Sequence, residues 1–124
     1  MPLVINFDVS LPIGEIDRFA ANCRAALRVR WPESRNVFYG HIGDSNLHVS
    51  VMISNEGAEV MHAVDDVVYG AVRQMAGSVS AEHGVGTLKR AYLGYSRSAP
   101  ELALMRQLKR TLDPRGILNP GKLI

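Results

Sequence analysis

Asn36-Val37-Phe38-Tyr39-Gly40-His41-Ile42-Gly43-Asp44-Ser45-Asn46-Leu47-His48-Val49-Ser50-Val51-Met52-Ile53 contains two β-rich runs, Asn36 to Tyr39 and Leu47 to Ile53. The seven residues between them, Gly40 to Asn46, are dense in glycine, aspartate, serine and asparagine, the residues that close turns. The stretch therefore reads as a β-hairpin, with Asp44 and Asn46 capping its turn.

Upstream of the hairpin, Leu3 to Ser10 alternate and carry Val4, Ile5, Phe7 and Val9, which predicts a strand starting almost at Met1 with no room for an earlier element. After Pro12 and Gly14, the apolar residues Ile16, Phe19, Ala20, Cys23, Ala26 and Leu27 recur at helical spacing until the Trp31-Pro32 break. Downstream, Val60, Met61, Val64, Val67, Val68, Ala71, Val72 and Met75 form a wide apolar stripe, the strongest helix signal in the chain, and it ends at Gly77. Ser78 to Ala81 reads as a fourth short strand. A last helix is expected from Pro100 to Leu112, with Leu104, Met105, Leu108 and Leu112 facing inward, before the breakers Asp113-Pro114-Arg115-Gly116 and Asn119-Pro120-Gly121-Lys122.

The order β-α-β-β-α-β predicts an α+β, ferredoxin-like antiparallel sheet with helices on one face over residues 1–86, and a C-terminal helical tail over 87–124. Right-handed crossovers are read here as making strands one and three parallel central neighbours, with strands two and four antiparallel outside them. On that reading the end of strand two, the start of strand three, the end of strand four and the start of strand one share one sheet edge. His41, His48, Glu82 with His83, and Asn6 would meet there.

Composition narrows the function classes. The 124 residues, 47% of them hydrophobic, suffice for one compact domain. A formal charge of +2, from 14 basic and 12 acidic side chains scattered along the chain, offers no basic stripe for nucleic acid or an anionic membrane surface. The single cysteine, Cys23, excludes an internal disulfide framework, and its place on the apolar face of the first helix makes it a small buried core residue. No apolar run spans a bilayer and no leader pattern is present, so the expected compartment is the cytoplasm.

Two imidazoles and a carboxylate form a ligand set used by catalytic zinc sites, which keep positions open for water or substrate. His83, next to Glu82 but pointing the other way in extended backbone, would stay free as a base working near neutral pH. Gly84 and Gly86 allow close backbone approach or positive φ. Against this stands the plainer reading, in which Gly40 to Asn46 is only a hairpin turn and Asn119 to Lys122 only a helix-terminating turn. His62, within the second helix, reads as a surface residue.

Gly40 to His48, Gly77 to Gly86 and Leu112 to Lys122, three motifs in order, together resemble the C-terminal domain of the FAD-linked oxidases, the group that includes D-lactate dehydrogenases, the glycolate oxidase flavin subunit and D-2-hydroxyglutarate dehydrogenase. Phe7-Asp8-Val9-Ser10-Leu11-Pro12 also looks like the family's strand before its first helix, so the likeness covers nearly the whole chain. The resemblance implies the second copy of a duplicated ferredoxin-like cap, with FAD bound by a separate domain that nothing here matches. It implies that His41, His48 and Glu82 hold a divalent metal, usually zinc, against the substrate's carboxylate and hydroxyl. His83 becomes the base, and Asn119 lies in the segment returning towards the flavin domain. Asn6 stands where relatives often have lysine, Ser50 where many have asparagine, and Ser45 where glycine is frequent; Asn6 and Ser50 are thereby assigned to substrate binding.

Two functional expectations follow. The first is the substrate- and metal-binding portion of an FAD-dependent 2-hydroxy-acid dehydrogenase, inactive without a flavin domain and either partnered by a separate FAD-binding subunit or left as a truncated product. The second is a non-catalytic ferredoxin-like module that binds a small ligand or forms a homodimer through apolar surface left uncovered.

Overall fold

The computed structural model describes residues 2–54, 57–122 and 124, with Ile42 through its backbone alone; Met1, where the first strand was expected almost to begin, lies outside them. The elements are β1 (Leu3–Ser10), α1 (Ile16–Arg30), β2 (Arg35–His41), β3 (Asn46–Ile53), α2 (Ala58–Gln74) and α3 (Ala99–Leu112). Short 3-10 turns cover Ile13–Glu15, Ile42–Asp44 and Arg90–Tyr95. The chain is thus α+β, built on a small antiparallel sheet.

The sheet has three strands in the order β1-β3-β2, and β3 is antiparallel to both neighbours. This corrects the expected parallel pairing of strands one and three. The hairpin makes β3 antiparallel to β2, and β1 and β2 run the same way on either side of it, so β1 meets β3 head to tail. The fourth strand is also corrected. It is reduced to one antiparallel bridge, Ser10 to Ser78, closed by reciprocal backbone bonds of 3.0 and 2.8 Å. Beyond the bridge the backbone bends at Val79 and again over Ala81 to His83, whose amides go to the Asp8 side chain instead of a β1 ladder, and Gly84 and Gly86 follow in left-handed backbone at φ 74° and 57°.

Alternation sorts the sheet into two faces. Ile5, Phe7 and Val9 of β1 and Leu47, Val49, Val51 and Ile53 of β3 are buried with Phe19, Cys23 and Leu27 of α1 and Val64, Val68, Tyr69 and Val72 of α2 in a single core. Both helices therefore cover one face. The other face carries Val4, Asn6, Asp8, His48, Ser50, Val37 and Tyr39, with no helix over it among the described residues.

Two local devices fix the site's position. A side chain at Gly40 would sit 2.3 Å from the Asn46 carbonyl oxygen, so only glycine lets β2 approach the start of β3 this closely. The α2 helix closes with a Schellman pair, Gly77 N–H to Val72 O at 3.0 Å and Ala76 N–H to Arg73 O at 3.1 Å. The left-handed residue of that cap is Ala76, at φ 53°, one position before the glycine expected to end the helix. Gly77 serves a different need: a Cβ there would lie 2.6 Å from the Ser10 carbonyl oxygen, across the bridge.

The α3 expectation holds for extent but not for orientation. Ser98 and Glu101 form a capping box at its start. Leu104, Leu108 and Leu112 are 56%, 53% and 77% exposed, and Met105 alone of the four expected inward residues is partly covered. Leu102, Met105 and Lys109 form the side that faces the body instead. Periodicity identified the apolar stripe, but the described residues provide no surface to cover it.

Candidate metal centre

Antiparallel register places Asp8, His48 and Tyr39 in one cross-strand row on the open face. Ser10, Asn46 and His41 form the next row, and Asn6, Ser50 and Val37 the row on the other side. His41 ends β2, His48 is the third residue of β3, and the turn after the Ser78 bridge brings Glu82 and His83 over them. It is the end of β1 that arrives at this edge, so Asp8 occupies the place sequence reasoning gave to Asn6.

One ligand atom each from His41, His48 and Glu82 lie within 4.8 Å of one another. His41 Nε2 stands 3.9 Å from Glu82 Oε1, and the His41 and His48 rings meet edge to face at 6.0 Å between centroids. His41 and Glu82 are exposed, whereas His48 is largely covered. Asn46, 3% exposed, donates its side-chain amide to Glu82 Oε1 and leaves its own Oδ1 buried without a partner among the described residues. Donors of the right kind, gathered at an edge open to solvent and flanked by the orphaned Oδ1 atoms of Asn46 and Asp8, fit a divalent cation.

Asp8 anchors the turn above. Its Oδ2 accepts backbone N–H groups from Ala81, Glu82 and His83 at 3.1, 2.9 and 2.9 Å. Lys89 Nζ lies 3.7 Å from the same oxygen and donates to the Asp8 carbonyl and to Ser80 Oγ, each at 3.3 Å. Burial pushes the Asp8 carboxyl upward, but the N–H groups of His83 and Glu82 and the Lys89 ammonium outweigh it and hold the acid below its ordinary range. Lys89 moves in the opposite sense to what an ion pair alone would give: burial lowers it more than Asp8 raises it.

His83 is 65% exposed at its side chain, with Nδ1 3.8 Å from Asp8 Oδ2 and its ring stacked 6.0 Å from that of His48. Asn6 and Ser50 face each other in the adjoining row, Ser50 Oγ donating to Asn6 Oδ1 at 2.7 Å. Asp44 accepts the Asn46 N–H at 3.2 Å and is the turn cap expected of it. Asn119 adopts φ 46° in the tail turn and accepts from Lys122 N–H, taking part in none of the cluster's contacts. His62 is exposed on α2 and Cys23 is fully buried, both as expected. An apolar cleft of about 470 Å³, lined by Ile16, Phe38, Tyr39 and Asn46 among others, opens beside the site and includes none of the four candidate groups.

Sequence reasoning missed Asp8, Asn46 as a site residue, and Lys89. For Asp8 the usable signal was parity: it shares the polar alternation of β1 with Asn6 and Ser10. Lys89 carried no local signal, since its role depends on the chain doubling back after Gly86.

A mixed-layer domain presenting this edge cluster belongs to a known family: over residues 1–123 the chain matches the model for FAD linked oxidases, C-terminal domain, and is a member of that family. It is similar to D-2-hydroxyglutarate dehydrogenases. The one from Xanthomonas citri pv. viticola is 44% identical over 121 residues, covering 94% of this chain and 26% of the relative. The mitochondrial enzymes of Bos taurus and Arabidopsis thaliana are 43% and 38% identical, each alignment covering 98% of this chain but 22% and 21% of the relative. The chain thus spans about a quarter of the length of these relatives. Among the described residues no helix is long and apolar enough to cross a membrane.

Proposed function

We propose that the chain is the substrate- and metal-binding portion of an FAD-dependent dehydrogenase of small D-2-hydroxy acids, 2-hydroxyglutarate foremost among lactate- and glycolate-like candidates. The convergence of His41, His48 and Glu82 donor atoms within 4.8 Å carries this reading. Kinship with proteins named D-2-hydroxyglutarate dehydrogenases supports the substrate class.

A divalent cation held by His41, His48 and Glu82, zinc in this proposal, would supply positive charge beside the substrate's carboxylate and hydroxyl, and a flavin would supply the hydride acceptor. His83, exposed beside Glu82, takes the hydroxyl proton on a ring nitrogen. The Asn6 amide, its oxygen engaged by Ser50, keeps its N–H groups for the substrate's carboxylate. Asn119 is placed by the family likeness in the segment that meets the flavin domain. The three-stranded sheet, with its single fourth-strand bridge, is read as a shortened ferredoxin-like unit over 1–86 with 87–124 as its tail. A flavin domain, in the same or a separate chain, is required for turnover, and the cytoplasm is the proposed compartment even though some relatives are named mitochondrial.

Calorimetric titration with Zn²⁺ tests the site. One cation per chain is expected, lost in His41→Ala and in Glu82→Gln; no heat and no rise in melting temperature would remove the metal assignment. Titration with FAD is expected to leave the chain colourless, and a yellow purified protein would overturn the view that flavin is bound elsewhere.

The second reading, an oligomerisation module, is favoured by one observation. Leu104, Leu108 and Leu112 leave an uncovered apolar stripe along α3.

A further inference from the structure

We propose that Asp8 is the positioning carboxylate of the site: its Oδ1 accepts a hydrogen bond from the Nδ1–H of His48, which keeps that proton and leaves Nε2 as the unprotonated ligand nitrogen. The proposal depends on the cation reading for what Nε2 meets, but the Asp8–His48 pairing can be measured without any cation.

The two oxygens of Asp8 are in different circumstances. Oδ2 is saturated by three backbone N–H groups from Ala81 to His83. Oδ1 is buried with no hydrogen-bond partner among the described residues, in a residue only 2% exposed. A buried carboxylate oxygen without a donor is costly, so such an orphan marks a place where a hydrogen-bond donor is called for. The group nearest to it in kind is His48 Nδ1, 3.9 Å away, and it is the cross-strand neighbour of Asp8 in the β1–β3 register.

Asp8, Glu82 and His83 also form a second possible ligand group with atoms within 4.8 Å. Occupying it would require Oδ2 to give up three N–H bonds that hold the Glu82 turn in place. Asp8 is therefore better suited behind the ligands than among them. Metal-bound histidines commonly donate their far ring N–H to a carboxylate, which fixes the tautomer and the ring plane. The same side chain thus sets two ligands at once, Glu82 through the backbone of its turn and His48 through its ring.

The Asp8→Asn variant separates these roles. Its side-chain carbonyl can still receive the turn's N–H groups, while its NH₂ faces His48 as a donor and forces the opposite tautomer. Long-range ¹H–¹⁵N spectra of the labelled, cation-free chain, recorded above the imidazole titration range, are expected to show His48 as the Nδ1–H tautomer. In Asp8→Asn they should show the Nε2–H tautomer, and Zn²⁺ affinity should fall roughly ten- to a hundredfold. An Nε2–H His48 in the unsubstituted chain overturns the proposal, as does unchanged Zn²⁺ affinity in a folded Asp8→Asn. If Asp8→Asn does not fold, the tautomer of the unsubstituted chain decides alone. A chain that shows the Nδ1–H tautomer yet binds no Zn²⁺ keeps the pairing and removes the cation reading.

Discussion

Asn46, the first residue of β3, donates its buried side-chain amide to Glu82 Oε1 and so ties the hairpin to the turn that follows the Ser78 bridge. Glu82 itself is half exposed, and this bond restrains it on the side of His41. Replacing Asn46 with alanine removes the tether and a buried polar group together. A loss of about 1 kcal/mol in urea unfolding is expected, the scale of one net hydrogen bond. Zn²⁺ affinity should drop by about tenfold in the same variant, as for other supporting partners of metal ligands.

Of the three non-glycine residues in left-handed backbone among the described residues, Asn119 is of a type that tolerates it, while Ser45 at φ 64° in the hairpin turn and Ala76 at φ 53° in the α2 cap stand where glycine would be unstrained. Left-handed backbone costs an L-residue roughly 1–2 kcal/mol, and glycine's extra unfolded-state freedom returns roughly 0.5–1 of that. Ser45→Gly and Ala76→Gly are each expected to stabilise the chain by about 0.5–1 kcal/mol, seen as a higher urea midpoint with an unchanged slope. Gly77→Ala should move the midpoint the other way, because its Cβ would collide with the Ser10 carbonyl.

What the sequence disclosed follows from what periodicity encodes. The α1 and α2 stripes and the hairpin were legible because each pattern is local and each has a buried face to select it. Strand direction was misread because it is a property of the whole path: inserting β3 between β1 and β2 makes it antiparallel to both, and no residue records that. The α3 stripe predicted an inward face that the described residues do not offer, since amphipathicity gives the direction of an apolar face and not the existence of a partner. His41, His48 and Glu82 were proposed from residue type, sheet-edge topology and family likeness, and the fold brings the three together. Asp8 was missed because a carboxylate alternating along an edge strand looks like a solvent-facing residue until a turn folds over it.

Cys23 is fully buried between α1 and the core, and burial pushes its thiol up to about 12. The thiolate is the reactive form, so at neutral pH the folded chain should leave a thiol reagent almost unconsumed, while the urea-unfolded chain titrates one thiol. Cys23→Ser, which buries a hydroxyl in apolar surroundings, is expected to cost about 1–3 kcal/mol. Rapid labelling of the native chain would show that α1 opens readily.

Asp113 closes the C-terminal end of α3 by ion-pairing with Lys109 at 2.5 Å and by accepting the Leu118 and Ile117 N–H groups at 3.0 Å each. The Lys109 contact leads the causes that hold its carboxyl below the ordinary value. The folded acid is therefore the stronger one, and its contribution is complete above the unfolded value of about 4 and lost as pH falls through the lower folded value. The amide proton shifts of Ile117 and Leu118 should titrate together in that acidic window, below an ordinary aspartate. Asp113→Asn should abolish the joint titration.

Leu104, Leu108 and Leu112 lie along one side of a helix that contributes no buried residue, and Ile117 and Leu118 of the tail after it are also exposed, at 65% and 60%. Water in contact with such a stripe favours its burial against any complementary surface, including a second copy of itself. The isolated chain is expected to self-associate as its concentration rises, read by sedimentation velocity. The triple variant Leu104→Gln, Leu108→Gln, Leu112→Gln should sediment as a monomer across the same range, with little change in urea stability because the removed side chains support no core. Should the triple variant associate as strongly as the original chain, α3 is not the contact. The helix-free sheet face, where Val4, Val37 and Tyr39 are about half exposed, would then be the surface to substitute, and Zn²⁺ binding at His41 and His48 would be expected to change with association because they share that face.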